Sequence, residues 1–201
     1  ARTDELIALA TESARCGGLY SAHMRSEGDK IEAALEETIR IARESGGPAE
    51  VYHLKLGGKG NWHKLDAVVK TIEAARKQGV SIAANMYNYT AGATGFDAAM
   101  PPWIQEGGVE AWVARLRDPE LRAKAVREMR EPSPGWENLY AHAGPEGTLL
   151  LQFTNDALKP LIGKTLAEVA RQRGKSPEET IAELVMEDGS RVGVAYFLMS
   201  E

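Results

Sequence analysis

A chain of 201 residues, 43% hydrophobic and 26% charged, has the make-up of a folded globular protein and is long enough to bury a substantial core. Its net charge of -5, with no long block of Lys or Arg, gives no general attraction to nucleic acid or anionic lipid, and no apolar run approaches the roughly 20 residues of a membrane span. A single cysteine, Cys16, rules out an internal disulfide framework and suits a reducing, cytoplasmic setting. In chain order, Thr3 or Asp4 can cap a first helix whose apolar positions Leu6, Ile7, Leu9, Ala10 and Ala14 fall at helical spacing, and Gly17-Gly18 ends it. The opening residues Ala1 to Leu6 are helix-like rather than a signal peptide. A strand is predicted at about 18 to 24, then an amphipathic helix over 29 to 45 with Ile31, Leu35, Ile39 and Ala42 on one face. Gly46-Gly47-Pro48 stops that helix, and a second strand runs from about 49 to 55. After the loop Gly57-Gly58-Lys59-Gly60-Asn61-Trp62, a third helix carries Leu65, Val68, Val69, Ile72 and Ala75 and ends at Gly79; the third strand is Val80 to Met86.

Strands alternating with helices every 30 residues or so, roughly the length of a βαβ unit, imply a parallel sheet. An open doubly wound sheet and a closed (β/α)8 barrel both fit. A barrel takes about 250 residues, so a barrel here is a partial one. After Tyr87 to Thr94 the pattern changes. Pro101-Pro102-Trp103 and Gly107-Gly108 punctuate loops, and helices are predicted at 109 to 117 and 119 to 131. Asp118-Pro119 reads as an N-cap followed by proline at the first helical position, and Pro132 and Pro134 break the second of these helices. A strand at Thr148 to Phe153, a helix at about 165 to 173 and another at 177 to 187, capped by Ser176 with Glu179 three residues on, complete a mostly helical insertion. Val192 to Leu198 reads as one more strand running into the chain end, as a truncated unit would.

The most informative residues are two histidines one βα repeat apart: His23 in Leu19-Tyr20-Ser21-Ala22-His23-Met24-Arg25 and His53 in Val51-Tyr52-His53-Leu54-Lys55. Each ends a short apolar run, and each is followed two residues later by a cation. Side chains on a strand alternate with period 2, which puts His23 with Arg25 and His53 with Lys55. Polar groups converging at the C-terminal ends of consecutive parallel strands are what a barrel active site is made of. A neutral imidazole is both a ligand for divalent metals and a base near neutral pH. The plainer alternative is two satisfied histidines at strand ends. Two histidines do not complete a catalytic zinc site, which takes three protein ligands and leaves a position for water.

Arg25 can clamp a substrate carboxylate with its forked guanidinium, and Lys55 can share that role as a point charge; the alternative for Arg25 is an ion pair with Glu27 or another carboxylate. Asn85, Tyr87 and Tyr89 share a face of the third strand, where their amide and hydroxyl groups would orient substrate or polarise a carbonyl. Gly57-Gly58-Lys59-Gly60 matches neither the phosphate-loop nor the dinucleotide fingerprint at the required spacing. Trp62 and Trp103 either wall off a pocket or pack on the surface. His63 and His142 read as structural or solvent-exposed, and Cys16 as a small buried residue.

The segment Gly17-Gly18-Leu19-Tyr20-Ser21-Ala22-His23-Met24-Arg25-Ser26-Glu27-Gly28, together with His53-Leu54-Lys55, Gly60-Asn61-Trp62, Asn85-Met86-Tyr87-Asn88-Tyr89-Thr90-Ala91-Gly92-Ala93-Thr94, Pro101-Pro102-Trp103 and Gly163 to Ala170, resembles the N-acyl-D-amino-acid deacylase (D-aminoacylase) family of the amidohydrolase superfamily. The resemblance implies a zinc-dependent hydrolase on a (β/α)8 barrel with a small β-sandwich, in which one or two zinc ions activate the water that attacks an amide carbonyl. It implies that His53 binds metal, with His23 a second candidate, and that an aspartate on a late strand serves as base. Arg25 and Lys55 would hold the amino-acid carboxylate. The superfamily's early His-x-His pair, the family's metal-binding cysteine and the late aspartate have no match here, and would lie before Ala1 or after Glu201. Tyr87 stands where some relatives carry a second metal-binding histidine, and Asn88 where proline is usual.

The expectation is therefore an α/β chain forming part of a (β/α)8 barrel of the metal-dependent amidohydrolase kind, with a mostly helical insertion. Residues 1–95 would hold about the fourth to sixth βα units, 96–190 the insertion and a candidate active-site cover, and 191–201 the start of a further barrel strand. Its expected substrate is a small N-acyl amino acid, and its expected partner the remainder of the barrel or another copy of the chain. No complete catalytic set is expected in this chain. A cyclic-amide hydrolase of the dihydroorotase or hydantoinase kind is the nearest alternative, and a non-catalytic binding module on a half-barrel the alternative from another class.

Overall fold

Three short parallel strands organise the first half of the chain in this computed structural model, which describes residues 1–131 and 135–200. They are β1 (Tyr20–Ala22), β2 (Ala49–Val51) and β3 (Ile82–Ala84), hydrogen-bonded in the order β1-β2-β3 with Tyr20 opposite Ala49 and Ala49 opposite Ile82. Helix α1 (Thr3–Arg15) precedes the sheet, and α2 (Ile31–Ser45) and α3 (Leu65–Lys77) make the two crossovers, giving the expected βαβ repeat. The helix faces explain the packing. Ile31, Leu35 and Ile39 of α2 and Val68 and Ile72 of α3 are buried with Val51 and Ile82 of the strands in one core. A fully buried Ile or Leu is worth about 1.5–3 kcal/mol relative to exposure, so this face carries most of the drive to form the unit. Of the apolar residues that α3 carries, Leu65 and Val69 are exposed. A 3₁₀ turn over Lys59–Lys64 leads into α3 and carries Trp62, which packs partly buried against this core.

The chain divides into two compact units, Ala1–Tyr89 and Thr90–Glu201. Residues 90–95, expected to close the barrel portion, thus belong with the second unit, as does the last strand. That unit is built on an antiparallel sheet, β4 (Ala91–Gly95), β6 (Gly193–Phe197) and β5 (Thr148–Gln152), in the order β4-β6-β5. The strand expected to begin a further barrel strand therefore sits between two antiparallel neighbours. The unit expected to be mostly helical has a sheet at its centre. Strand β4 escaped the sequence reading because Ala91-Gly92-Ala93-Thr94-Gly95 has the composition of a turn. Small residues are needed there: a Cβ on Gly95 would lie 2.5 Å from Asp97 Oδ1, and the Tyr196 hydroxyl donates to the Gly95 carbonyl at 3.0 Å.

Helices α4 (Pro102–Gln105), α5 (Val109–Arg117), α6 (Pro119–Arg130), α7 (Leu139–Ala143), α8 (Leu166–Arg173) and α9 (Pro177–Asp188) surround that sheet. The expected caps form: Asp118 Oδ1 accepts from Glu120 and Leu121 N–H groups, and Ser176 Oγ from the Glu179 N–H. At α1 the cap differs. Arg2 precedes the helix and its N–H donates to the Glu5 carboxylate at 2.5 Å, while Thr3 donates to Glu37 at 2.6 Å. Pro132 and Pro134 lie outside the described residues. Trp103 is packed against the second unit's core with its Nε1–H donating to Glu128 and Lys124 over its ring, which makes it a packing residue of that unit. Among the described residues no closed barrel forms, and no helix is long and apolar enough to cross a membrane.

Candidate metal centre

All the site residues expected from the sequence except Arg25 and Tyr89 gather just past the C-terminal ends of β1, β2 and β3. His23 follows Ala22, the last residue of β1, and His53 lies two residues beyond Val51 of β2. The strands end before these residues, so strand alternation does not aim their side chains. A tight turn does. His53 has φ 45°, in the left-handed region that a residue with a Cβ enters at a cost of roughly 1–2 kcal/mol. Asn85, one residue beyond β3, holds this conformation: the His53 N–H donates to Asn85 Oδ1 at 2.6 Å, and the Leu54 N–H to the Asn85 carbonyl at 2.8 Å.

The result is that His53 Nε2 lies 3.2 Å from His23 Nδ1. Glu27, which the sequence offers only as a counterion for Arg25, is the third member. Its Oε1 is 2.8 Å from His53 Nδ1 and 3.4 Å from His23 Nδ1, and its Oε2 is 2.5 Å from Lys55 Nζ. One donor atom from each of His23, Glu27 and His53 can be chosen so that all lie within 4.8 Å of one another. Glu27 is 6% exposed, so the loop that carries it must be fixed, and the Gly57 N–H does this by donating to the Glu27 carbonyl at 2.7 Å. Asn61, also buried, braces the same loop by donating to Asp29 and to the Gly57 carbonyl. The glycine run at 57–60 therefore supports the carboxylate.

Burial alone would raise the Glu27 pKa, but the hydrogen bonds from His23 and Lys55 and the charge of Lys55 outweigh it, and the carboxyl titrates below its ordinary range. Glu27 is thus an anion at neutral pH. Burial, and then the Glu27 charge, push the Tyr87 hydroxyl up, so that Tyr87 stays a neutral donor. The Tyr87 ring lies 6.2 Å from that of His53, with Lys55 Nζ 5.6 Å from its centroid. His53 Nδ1 is also 2.7 Å from Lys55 Nζ. Protonated at Nδ1 the ring donates to Glu27; deprotonated there it accepts from Lys55. In the first tautomer Nε2 presents its lone pair towards His23.

These donors fit a divalent ion of the zinc type. Two imidazoles and a carboxylate are a recurring zinc ligand set, and ligand nitrogens about 2.0–2.1 Å from a tetrahedral zinc stand roughly 3.3 Å apart. The observed 3.2 Å between the two imidazole nitrogens matches that separation. A buried carboxylate on the far ring nitrogen of a metal-binding histidine is likewise the usual arrangement.

Two expected substrate residues stand elsewhere. The Arg25 guanidinium is paired with Glu37 at 2.6 Å and donates to the Ala1 carbonyl at 2.7 Å, so its partner is Glu37, not Glu27. Tyr89 is 73% exposed. Cys16, expected to be buried, is exposed at the end of α1. His63 is exposed in the turn before α3, and His142 lies in α7 of the second unit.

The comparisons with known proteins point the same way. The chain is 31% identical over 202 residues to the D-aminoacylase of Alcaligenes xylosoxydans xylosoxydans, an alignment that takes in 100% of this chain and 31% of that protein. The chain is similar over its whole length to the D-aminoacylases. It thus spans about a third of the length of the D-aminoacylase it matches. A crystal structure of N-acyl-D-glutamate deacylase from Bordetella bronchiseptica, complexed with zinc and a phosphonate mimic of the tetrahedral intermediate, superposes with TM-score 0.69 at 24% identity, over 100% of this chain and 32% of that one. A D-aminoacylase structure described as defining a novel subset of amidohydrolases gives TM-score 0.66 at 29% identity, with the same coverage. No family model matches the chain. The resemblance to the D-aminoacylases read from the motifs is therefore borne out, and the fold is of their α/β type.

Proposed function

We propose that this chain is a portion of a metal-dependent hydrolase that cleaves the amide bond of N-acyl-D-amino acids, releasing a carboxylate and a free D-amino acid. The observation that carries the reading is the convergence of His23, His53 and the buried anion Glu27 past the ends of adjacent parallel strands. The likeness to D-aminoacylases along the whole chain supports it. In this reading β1 to β3 with their helices are consecutive βα units of a (β/α)8 barrel, and the second unit is an insertion. The proposed partners are the rest of the barrel and a small N-acyl amino acid. The proposed setting is the cytoplasm.

His23 and His53 would hold zinc, with Glu27 as the third ligand or as the anchor of the His53 ring. A zinc ion there would supply an electrophile for the amide carbonyl and promote ionisation of water. The chain's own groups do the rest. Glu27 fixes the His53 tautomer and Lys55 offers its ammonium to the substrate carboxylate; Tyr87 donates a hydrogen bond to the carbonyl as charge develops on it. Arg25 would join Lys55 on the carboxylate only by releasing Glu37, and Tyr89 would meet substrate at the rim.

In the full-length protein loaded with zinc, N-acyl-D-amino acids are expected to be hydrolysed at least about tenfold faster than cyclic imides such as hydantoins, because the Lys55 charge rewards a free carboxylate. The present chain alone should turn over neither. A preference for the cyclic substrates would make this a cyclic-amide hydrolase, and binding of substrate without turnover by the full-length protein would make it a binding module.

A further inference from the structure

We infer that Glu50 and Asn85 form a positioning pair that sets the His53 imidazole in place, and that Asn85 acts through His53 and does not contact substrate. The inference rests on the metal-centre reading above and deepens it. Asn85 lies one residue beyond β3, and its two side-chain atoms are both engaged: Oδ1 accepts from the His53 N–H at 2.6 Å, and Nδ2 donates to Glu50 Oε1 at 2.5 Å. The amide orientation is fixed by its neighbours. An N–H needs an acceptor and a carboxylate needs a donor, and the Asn85 amide supplies one of each. Glu50 lies on β2 directly opposite Ala83 of β3, two residues before Asn85, so the parallel register itself brings the carboxylate to the amide.

The need for such a device follows from the backbone. The turn at His53 takes φ to 45°, and the His53 N–H is caught by a side chain while the N–H groups on either side find carbonyls: Tyr52 donates to Ala22 and Leu54 to Asn85. Without the Asn85 oxygen, that N–H would lose its partner and the turn its restraint. The ring that faces His23 and Glu27 would then lose its aim. Each link joins residues more than 30 apart in the chain, so it couples the sheet directly to the ligand geometry.

The test uses the 201-residue chain with three variants: Asn85→Ala, Asn85→Asp, and Asn85→Asp combined with Glu50→Gln. Co2+ affinity and its ligand-field spectrum are read by titration, and the His53 amide by its proton resonance. Asn85→Ala and Asn85→Asp are each expected to weaken Co2+ binding about tenfold or more, the first by removing the acceptor and the second by setting two carboxylates against each other. The double variant restores one donor and one acceptor. Recovery to within about threefold of the parent, with the parent spectrum, is expected for it, and a merely structural role for Asn85 would not produce that pattern. Undiminished binding in both single variants, or no recovery in the pair, would overturn the inference. Failure of the parent chain to bind Co2+ at all would overturn the metal centre instead. The pairing would then be decided by the amide alone: loss of its hydrogen-bonded shift in Asn85→Ala supports it, and an unchanged resonance refutes it.

Discussion

Replacing His53 with alanine is expected to lower the chain's zinc affinity at least about a hundredfold. The substitution removes one of the two imidazole nitrogens that stand 3.2 Å apart and at the same time unpairs the buried Glu27 from its ring partner. Loss of a partner that only orients a ligand already costs about ten- to a hundredfold in affinity, and loss of the ligand itself costs more. The variant is paired with His23→Ala, whose side chain is 61% exposed and whose backbone carries no positive φ. Competition against a chromophoric chelator measures both. His23→Ala should fall at least about tenfold with an unchanged circular dichroism spectrum. Zinc affinity within about threefold of the parent in both variants would remove the two histidines from the metal site. For the hydrolase proposed above, the same substitutions in the full-length protein should abolish turnover, while an active His53→Ala variant with unaltered metal content would end the assigned role.

The second large effect belongs to the other unit. Glu178, in the first turn of α9, is 7% exposed and accepts from the Tyr140 hydroxyl at 2.7 Å and from Arg130 Nε at 2.9 Å, so it ties together α6, α7 and α9. Glu178→Ala leaves the buried Tyr140 hydroxyl without its acceptor, and breaking such a buried, charge-assisted group is expected to cost about 2–4 kcal/mol. For a chain of this length that corresponds to a fall in melting temperature on the order of 10 °C. Burial raises the Glu178 pKa, but the hydrogen bonds from Tyr140 and Arg130 outweigh it, and the folded-state value lies below the ordinary 4.5. A carboxylate held low in the folded state adds stability above its unfolded pKa and loses it as pH falls through the folded value. The stability gap between the parent and Glu178→Gln should therefore be full at pH 7 and shrink below about pH 4.5, which parallel urea melts would show. A gap that is the same at low pH would mean that the charge on Glu178 is not what joins these helices.

Much of the first unit was legible because its signals are local and redundant. Ile31, Leu35 and Ile39 repeat at helical spacing and are buried together, and the Gly46-Gly47-Pro48 stop falls where α2 ends. His23 and His53 were legible by place, each just past a strand end. What was not legible depends on chain segments far apart. Glu27 becomes the third member because Gly57 and Asn61 fold a loop back against it. The hydrogen bond of the Asn85 side chain to the His53 N–H was not legible either, because Asn85 lies past Ala84, where β3 and its alternation end. Arg25 was expected beside His23 on the same rule, but with β1 ending at Ala22 the side chain swings to Glu37 of α2. In the second unit β4 was invisible because Ala91 to Gly95 are mostly small residues with little strand propensity, and a Cβ at Gly95 would crowd Asp97 and Arg191.

The central claim, that His23 and His53 hold one zinc ion with Glu27 beside them as ligand or anchor, is tested most directly by X-ray absorption at the zinc edge on the zinc-loaded chain. The expected result is one ion per chain with a first shell of nitrogen and oxygen at about 2.0–2.1 Å and the outer-shell scattering of two imidazoles. A sulfur scatterer at about 2.3 Å, which only Cys16 or a methionine could provide, or a shell with no imidazole signature, would contradict it.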